Sequence, residues 1–135
     1  MKQRAKNEEK GPLVSIVDDE ECVRESLSSL IRSEGYKVKE FASAEDYLTQ
    51  GCWDQTACLI LDVRLPGMSG LELQRRLEEV QRERSVVFIS GHASGNEQKF
   101  ATMTGAVAFL RKPFDDESLL KAVRESIARS AAVIA

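Results

Sequence analysis

Positive charge is in short supply in this chain of 135 residues: 19 Lys and Arg stand against 22 Asp and Glu, a net charge of −3. Without a global basic field there is little to draw it to nucleic acid or anionic lipid, so direct nucleic-acid binding by this chain is not expected. Cysteine is scarce and oddly numbered. Cys22, Cys52 and Cys58 lack metal-ligand spacing, and Cys58 lies in an apolar run. Reduced thiols in a cytoplasmic protein are the simplest reading, with Cys58 a small core residue. No apolar run approaches the roughly 20 residues that a membrane span needs. The charged start, Met1 to Lys10, lacks the apolar region of a signal peptide, and residues 1–11 read as a disordered tail. The length leaves no room for a second full domain. One globular domain over residues 12–130, followed by a short tail over 131–135, is the expected organisation.

What is present is a series of short apolar runs that stop at polar residues. Ala57-Cys58-Leu59-Ile60-Leu61 ends at Asp62, and Leu13-Val14-Ser15-Ile16-Val17 ends at the pair Asp18-Asp19. Such runs predict buried strands. Val86 to Ile89 leads to Ser90, and Ala106 to Leu110 leads through Arg111 to Lys112. Val38 and Phe41 alternate with charged residues, as on an edge strand. Between the strands the period changes to helical. Val23, Leu27, Leu30 and Ile31 form one stripe ended by Gly35, and Leu71, Leu73, Leu77 and Val80 form another, whose start carries the capping spacing Ser69 to Glu72. A thinly apolar helix is expected across Asn96 to Thr104, and a last one, capped by Asp115, buries Leu119, Leu120, Val123 and Ile127. Trp53 reads as a partly buried lid.

Five alternations of strand and helix predict an α/β fold with a doubly wound parallel sheet. Right-handed crossovers allow the flavodoxin-like order 2-1-3-4-5, which makes the first and third strands neighbours and brings Asp18, Asp19 and Asp62 together at a switch point. Asp62 alone reads equally well as a turn cap or as a chemical group. Three converging carboxylates require a retained proton or a cation, and an all-oxygen set suits Mg²⁺. With Ser90 and Lys112 on the same edge, the set forms a phosphoryl-transfer site with an aspartate nucleophile.

At these residues the chain resembles the receiver domain of two-component response regulators, from Leu13 to about Ile127. The matching segments are Asp18-Asp19, the run Asp62-Val63-Arg64-Leu65-Pro66-Gly67-Met68-Ser69-Gly70, Ser90, and Phe109-Leu110-Arg111-Lys112-Pro113-Phe114. The resemblance implies that Asp62 accepts a phosphoryl group from a sensor histidine kinase. It assigns Mg²⁺ to Asp19, Asp62 and the Arg64 carbonyl, with Asp18 assisting, and the phosphoryl oxygens to Ser90 and Lys112. It makes Ser90 and Phe109 the switch pair and the Lys112–Pro113 bond cis. Such a domain catalyses only its own phosphorylation and dephosphorylation. Ser90 replaces the commoner Thr and Phe109 the commoner Tyr, so the switch ring has no hydroxyl. Arg64 and His92 stand where the family tunes loss of the phosphoryl group, though His92 reads equally as a solvated loop residue.

Val23-Arg24-Glu25-Ser26-Leu27 and the Pro66 to Leu73 segment look most like receivers of the nitrogen-fixation regulator group, which carry a LuxR-type DNA-binding domain. The chain is then either a stand-alone receiver or the front piece of a longer transcription regulator. Phosphorylation would switch the surface of the fourth helix and fifth strand and promote a homodimer through it. Rival readings are weaker. A haloacid-dehalogenase phosphatase wants an acid where Arg64 stands, and a flavin carrier wants a hydroxyl- and glycine-rich loop where Asp18-Asp19-Glu20-Glu21 stands. A pseudo-receiver, binding partners without chemistry, normally lacks one of the acids or the lysine.

Overall fold

The computed structural model describes residues 11–50, 53–80, 85–91, 99, 103 and 105–134. The strands are β1 (Leu13–Val17), β2 (Lys37–Phe41), β3 (Thr56–Asp62), β4 (Val86–Ser90) and β5 (Ala108–Arg111). Among the described residues the helices are α1 (Glu21–Ser33), α2 (Ala44–Gln50), α3 (Gly70–Glu79) and α4 (Asp116–Ile134). The strands form one parallel sheet in the order β2-β1-β3-β4-β5, the expected order. α4 continues through residues 131–134, where the sequence suggested a tail.

Because successive strand residues point to opposite faces, the apolar runs feed two cores at once. Leu59 and Leu61 of β3 join Val17, Phe41 and Phe88 on one face, covered by Tyr47 of α2 and Leu73 and Leu77 of α3. Cys58 and Ile60 join Val14, Ile16, Val87 and Ile89 on the other, covered by Leu27 and Ile31 of α1 and Leu119 and Val123 of α4. Burial pushes the Cys58 thiol up to about 12, so it stays protonated and behaves as an apolar group.

Two expectations shift. On α3 the buried stripe is Gly70, Leu73, Gln74 and Leu77, whereas Val80 is 60% exposed. The helix ends at Glu79, so Val80 is its C-cap and falls off the inner face. β5 starts at Ala108 rather than Ala106, because pairing with β4 begins at the Val87–Ala108 register. The helix expected across Asn96 to Thr104 and the tail over 1–11 fall on residues outside, or almost wholly outside, those described, as do His92 and Cys52.

One glycine is fixed by contact. A methyl group on Gly70, at the start of α3, would overlap the backbone carbonyl oxygen of Asp62. The Gly70 N–H also bonds the Val63 carbonyl at 2.9 Å. Gly70→Ala is therefore expected to cost about 1–3 kcal/mol, as overpacking does, and to lower the thermal midpoint; a midpoint equal to wild type would show that α3 moves away freely.

Candidate functional site

The carboxyl ends of β1, β3, β4 and β5 lie side by side, and each brings one of the singled-out polar residues. Such an edge, beside the switch point between β1 and β3, is where open α/β sheets bind ligands. Asp18 follows β1 and is fully buried, Asp62 ends β3 and is 5% exposed, and Ser90 ends β4 and is fully buried. Asp19 is exposed beside them. One carboxylate oxygen from each of Asp18, Asp19 and Asp62 lies within 4.8 Å of the other two. Lys112, just past β5, reaches into this group. Its Nζ donates to Asp18 Oδ2 at 3.0 Å, to Glu20 Oε1 at 3.3 Å and to Asp62 Oδ2 at 3.5 Å.

The backbone sets these positions. Asp18 N–H bonds the Phe41 carbonyl of β2, and Asp18 Oδ1 accepts from Glu20 N–H at 2.8 Å. Asp62 Oδ1 accepts from Arg64 N–H at 3.0 Å, which turns one carboxylate oxygen toward its own loop. Lys112 N–H bonds the Ser90 carbonyl at 2.8 Å, and the following Lys112–Pro113 peptide is cis, as the resemblance implied. Ser69 caps α3 by accepting from Glu72 N–H at 3.1 Å, which fixes the far end of the loop after Asp62. Phe109 is half-buried against the α2/α3 core, its ring centroid 6.5 Å from that of Phe88.

Electrostatics follow from the crowding. Burial pushes Asp62 up to about 6; the Lys112 charge opposes this and the Asp18 charge adds to it. Burial alone would lower Lys112, but its hydrogen bond to Asp18 and the charges of Asp62 and Asp18 leave it above the ordinary lysine value. The pocket therefore favours a cation. Its donors are oxygens only and anionic, with an ammonium already among them, which fits a hard divalent ion such as Mg²⁺ and not a thiophilic one.

The structure thus brings together Asp18, Asp19, Asp62 and Lys112 by direct contact or close approach, with Ser90 and Arg64 on adjoining backbone. Phe109 lies on β5, paired with Phe88. Sequence reasoning missed Glu20 as a partner of Lys112 and Arg24 as a donor to the Asp18 carbonyl, 2.7 Å away. Glu20 could have been suspected from its place beside the acidic pair; nothing in the spacing of Arg24 pointed back across a helical turn and a half.

The chain is similar to known proteins. The family of the response regulator receiver domain matches residues 14–124. The response regulator protein TmoT of Ectopseudomonas mendocina is 45% identical over 115 residues, which are 85% of this chain and 52% of that protein. The transcriptional regulatory protein FixJ of Azorhizobium caulinodans is 41% identical over 118 residues, 87% of this chain and 56% of that protein. The chain spans about half the length of the curated relatives it matches. A crystal structure of the N-terminal part of FixJ superposes with a TM-score of 0.78 at 35% identity, covering 88% of this chain and 95% of that one.

Proposed function

Because the chain belongs to the response regulator receiver family of two-component systems, we propose that Asp62 is its phosphoacceptor and that a sensor histidine kinase is its phosphodonor. The observation that carries this reading is the Lys112 ammonium held between Asp18 and Asp62 at the strand ends, a cation already poised at the group that would receive negative charge. An Asp62 carboxylate oxygen attacks the phosphorus of a phosphohistidine; the new P–O bond forms as the P–N bond breaks, and the imidazole leaves with the electron pair. Asp62 Oδ1 is committed to the Arg64 N–H, which leaves Oδ2, on the Lys112 side, as the attacking atom. Lys112 then exchanges its contact with Asp62 for one with a phosphoryl oxygen, and the Ser90 hydroxyl donates to another. Asp18, Asp19, Asp62 and the Arg64 carbonyl would hold Mg²⁺, which when bound supplies positive charge against the phosphoryl oxygens.

With Ser90 drawn toward the phosphoryl group, space opens beside Phe109, whose half-buried ring turns further inward against the Phe88 side of the core. The changed face of β5, with the segment across Asn96 to Thr104 that the sequence reads as helical, is the surface that controls an output and pairs two copies. By analogy with FixJ of Azorhizobium caulinodans, a transcriptional regulatory protein of which the matched segment is 56%, that output is transcriptional. Among the described residues no helix is long and apolar enough to cross a membrane.

The test is intact mass after incubation with acetyl phosphate, with Mg²⁺ or with a chelator. Gain of one phosphoryl group that requires Mg²⁺ is the expected result. No gain under either condition would leave the acids as a docking feature, as in a pseudo-receiver that binds partners without chemistry.

A further inference from the structure

Arg24 stands on α1 and belongs to none of the roles above, yet its side chain is only 16% exposed. It turns back from the helix toward the end of β1. Nη1 donates to the Asp18 carbonyl at 2.7 Å, and Nε lies 3.7 Å from Glu40 Oε1 on β2. Its own backbone N–H bonds the Glu20 carbonyl at 3.1 Å, so the segment from Asp18 to Arg24 is tied to itself at both ends. Asp18 has every other polar atom engaged: N–H with Phe41, Oδ1 with Glu20 N–H, Oδ2 with Lys112. Arg24 supplies the donor for the one that remains, and a buried carbonyl needs such a donor.

The Asp18 carbonyl is part of the peptide unit that joins Asp18 to Asp19. A peptide unit is planar, so fixing its oxygen also fixes the direction in which the chain leaves toward Asp19. Asp18 is buried and Asp19 exposed, and the orientation of that plane is one of the torsions that set the relative aim of their carboxylates. We propose that Arg24, steadied by Glu40, is a positioning residue that sets the angle between the Asp18 and Asp19 carboxylates and thereby the affinity of the pocket for a divalent cation. The proposal rests on the reading of these acids as a Mg²⁺ site. A lysine keeps the charge but offers a compact point donor in place of a planar fork, and it cannot serve Asp18 and Glu40 together from the same place.

Mg²⁺ binding by the full chain is measured by calorimetry at high salt, where screening suppresses the effect of altered net charge. Arg24→Lys, with the charge retained, is expected to weaken Mg²⁺ about tenfold, in line with other groups that orient a metal ligand from behind. Thermal unfolding without Mg²⁺ should remain close to wild type, and the Asp19 and Glu20 amide resonances should move. Glu40→Gln leaves the Asp18 bond in place and is expected to weaken Mg²⁺ in the same direction by less, which keeps the test open if Arg24→Lys fails to fold. Wild-type Mg²⁺ affinity in folded Arg24→Lys would overturn the role of Arg24 alone. Unchanged affinity in Glu40→Gln, with Arg24→Lys unfolded, would overturn it as well, while absence of Mg²⁺ binding by the wild type would overturn the metal site itself.

Discussion

Asp62→Asn is expected to abolish phosphorylation by acetyl phosphate and, at the same time, to make the unphosphorylated protein more stable at neutral pH. The first effect follows from losing the attacking oxygen; no phosphoryl gain in the intact mass is the expected result, and a gain equal to wild type would place the acceptor elsewhere. The second follows from the environment of Asp62, whose carboxyl is pushed from 3.8 to about 6 chiefly by burial, with the Asp18 charge adding to it. A carboxyl that holds its proton more tightly in the folded state contributes stability at low pH, and that contribution is lost as pH rises through the folded value. At pH 7 the ionised Asp62 thus opposes folding by at most about 3 kcal/mol, and by about 1–2 kcal/mol once solvent screening of the partly open pocket is allowed for. Asparagine removes that cost and keeps a carbonyl oxygen for the Arg64 N–H. The thermal midpoint should rise by roughly 3–6 °C. The gain should be full above about pH 7, shrink as pH falls from 6 toward the unfolded value of 3.8 and be nearly gone by about pH 3, where both states of the wild type are protonated. Saturating Mg²⁺ should also shrink it, because Mg²⁺ stabilises the wild type by mass action. A midpoint that falls at pH 7 would mean that the Lys112 contact outweighs the crowding.

That crowding is legible in the sequence because each acid closes an apolar run, and the runs are short enough to be strands only. The order of the sheet follows from the same runs and the handedness of the crossovers, and it is enough to bring Asp18, Asp19 and Asp62 to one edge. What the sequence does not carry are contacts made by long side chains and by helix faces. Gln74 takes an inner position on α3 although it is polar, and Val80 is exposed although it is apolar, because the helix ends one residue too early for it. Glu20 sits two residues past Asp18, and only the fold brings it within 3.3 Å of Lys112, 92 positions on. Arg24 is readable as part of a group signature, and its bond to the Asp18 carbonyl becomes visible only when α1 is placed beside β1 and β2.

Lys112 offers the sharpest division between binding and chemistry, because the same ammonium should hinder one and promote the other. In this structure it stands among the acids, 3.0 Å from Asp18, 3.3 Å from Glu20 and 3.5 Å from Asp62. A divalent ion entering the cluster must compete with it for Asp18 and Asp62. Lys112→Met keeps the apolar stem and removes the charge, so Mg²⁺ affinity should rise, by about tenfold if one close charge contact of about 1.4 kcal/mol is relieved at an intermediate dielectric. Phosphorylation should fall in the same variant, by about 10²–10³-fold, the usual loss when one charge-stabilising donor is taken from a transfer site. Two effects combine there: no ammonium meets the phosphoryl oxygen that Lys112 would pair with, and Asp62, deprived of the charge that holds its carboxyl down, is protonated to a larger extent at neutral pH. Raising the pH should recover the second part and leave the first. Tighter Mg²⁺ with slower transfer is therefore the expected signature, measured by calorimetry and by the rate of mass gain with acetyl phosphate. Weaker Mg²⁺ would make Lys112 a support for the acids and not their competitor, and an unchanged transfer rate would remove it from the chemistry. The loosest of its three contacts is the one to Asp62, so exchange to an incoming phosphoryl oxygen asks it to give up the least.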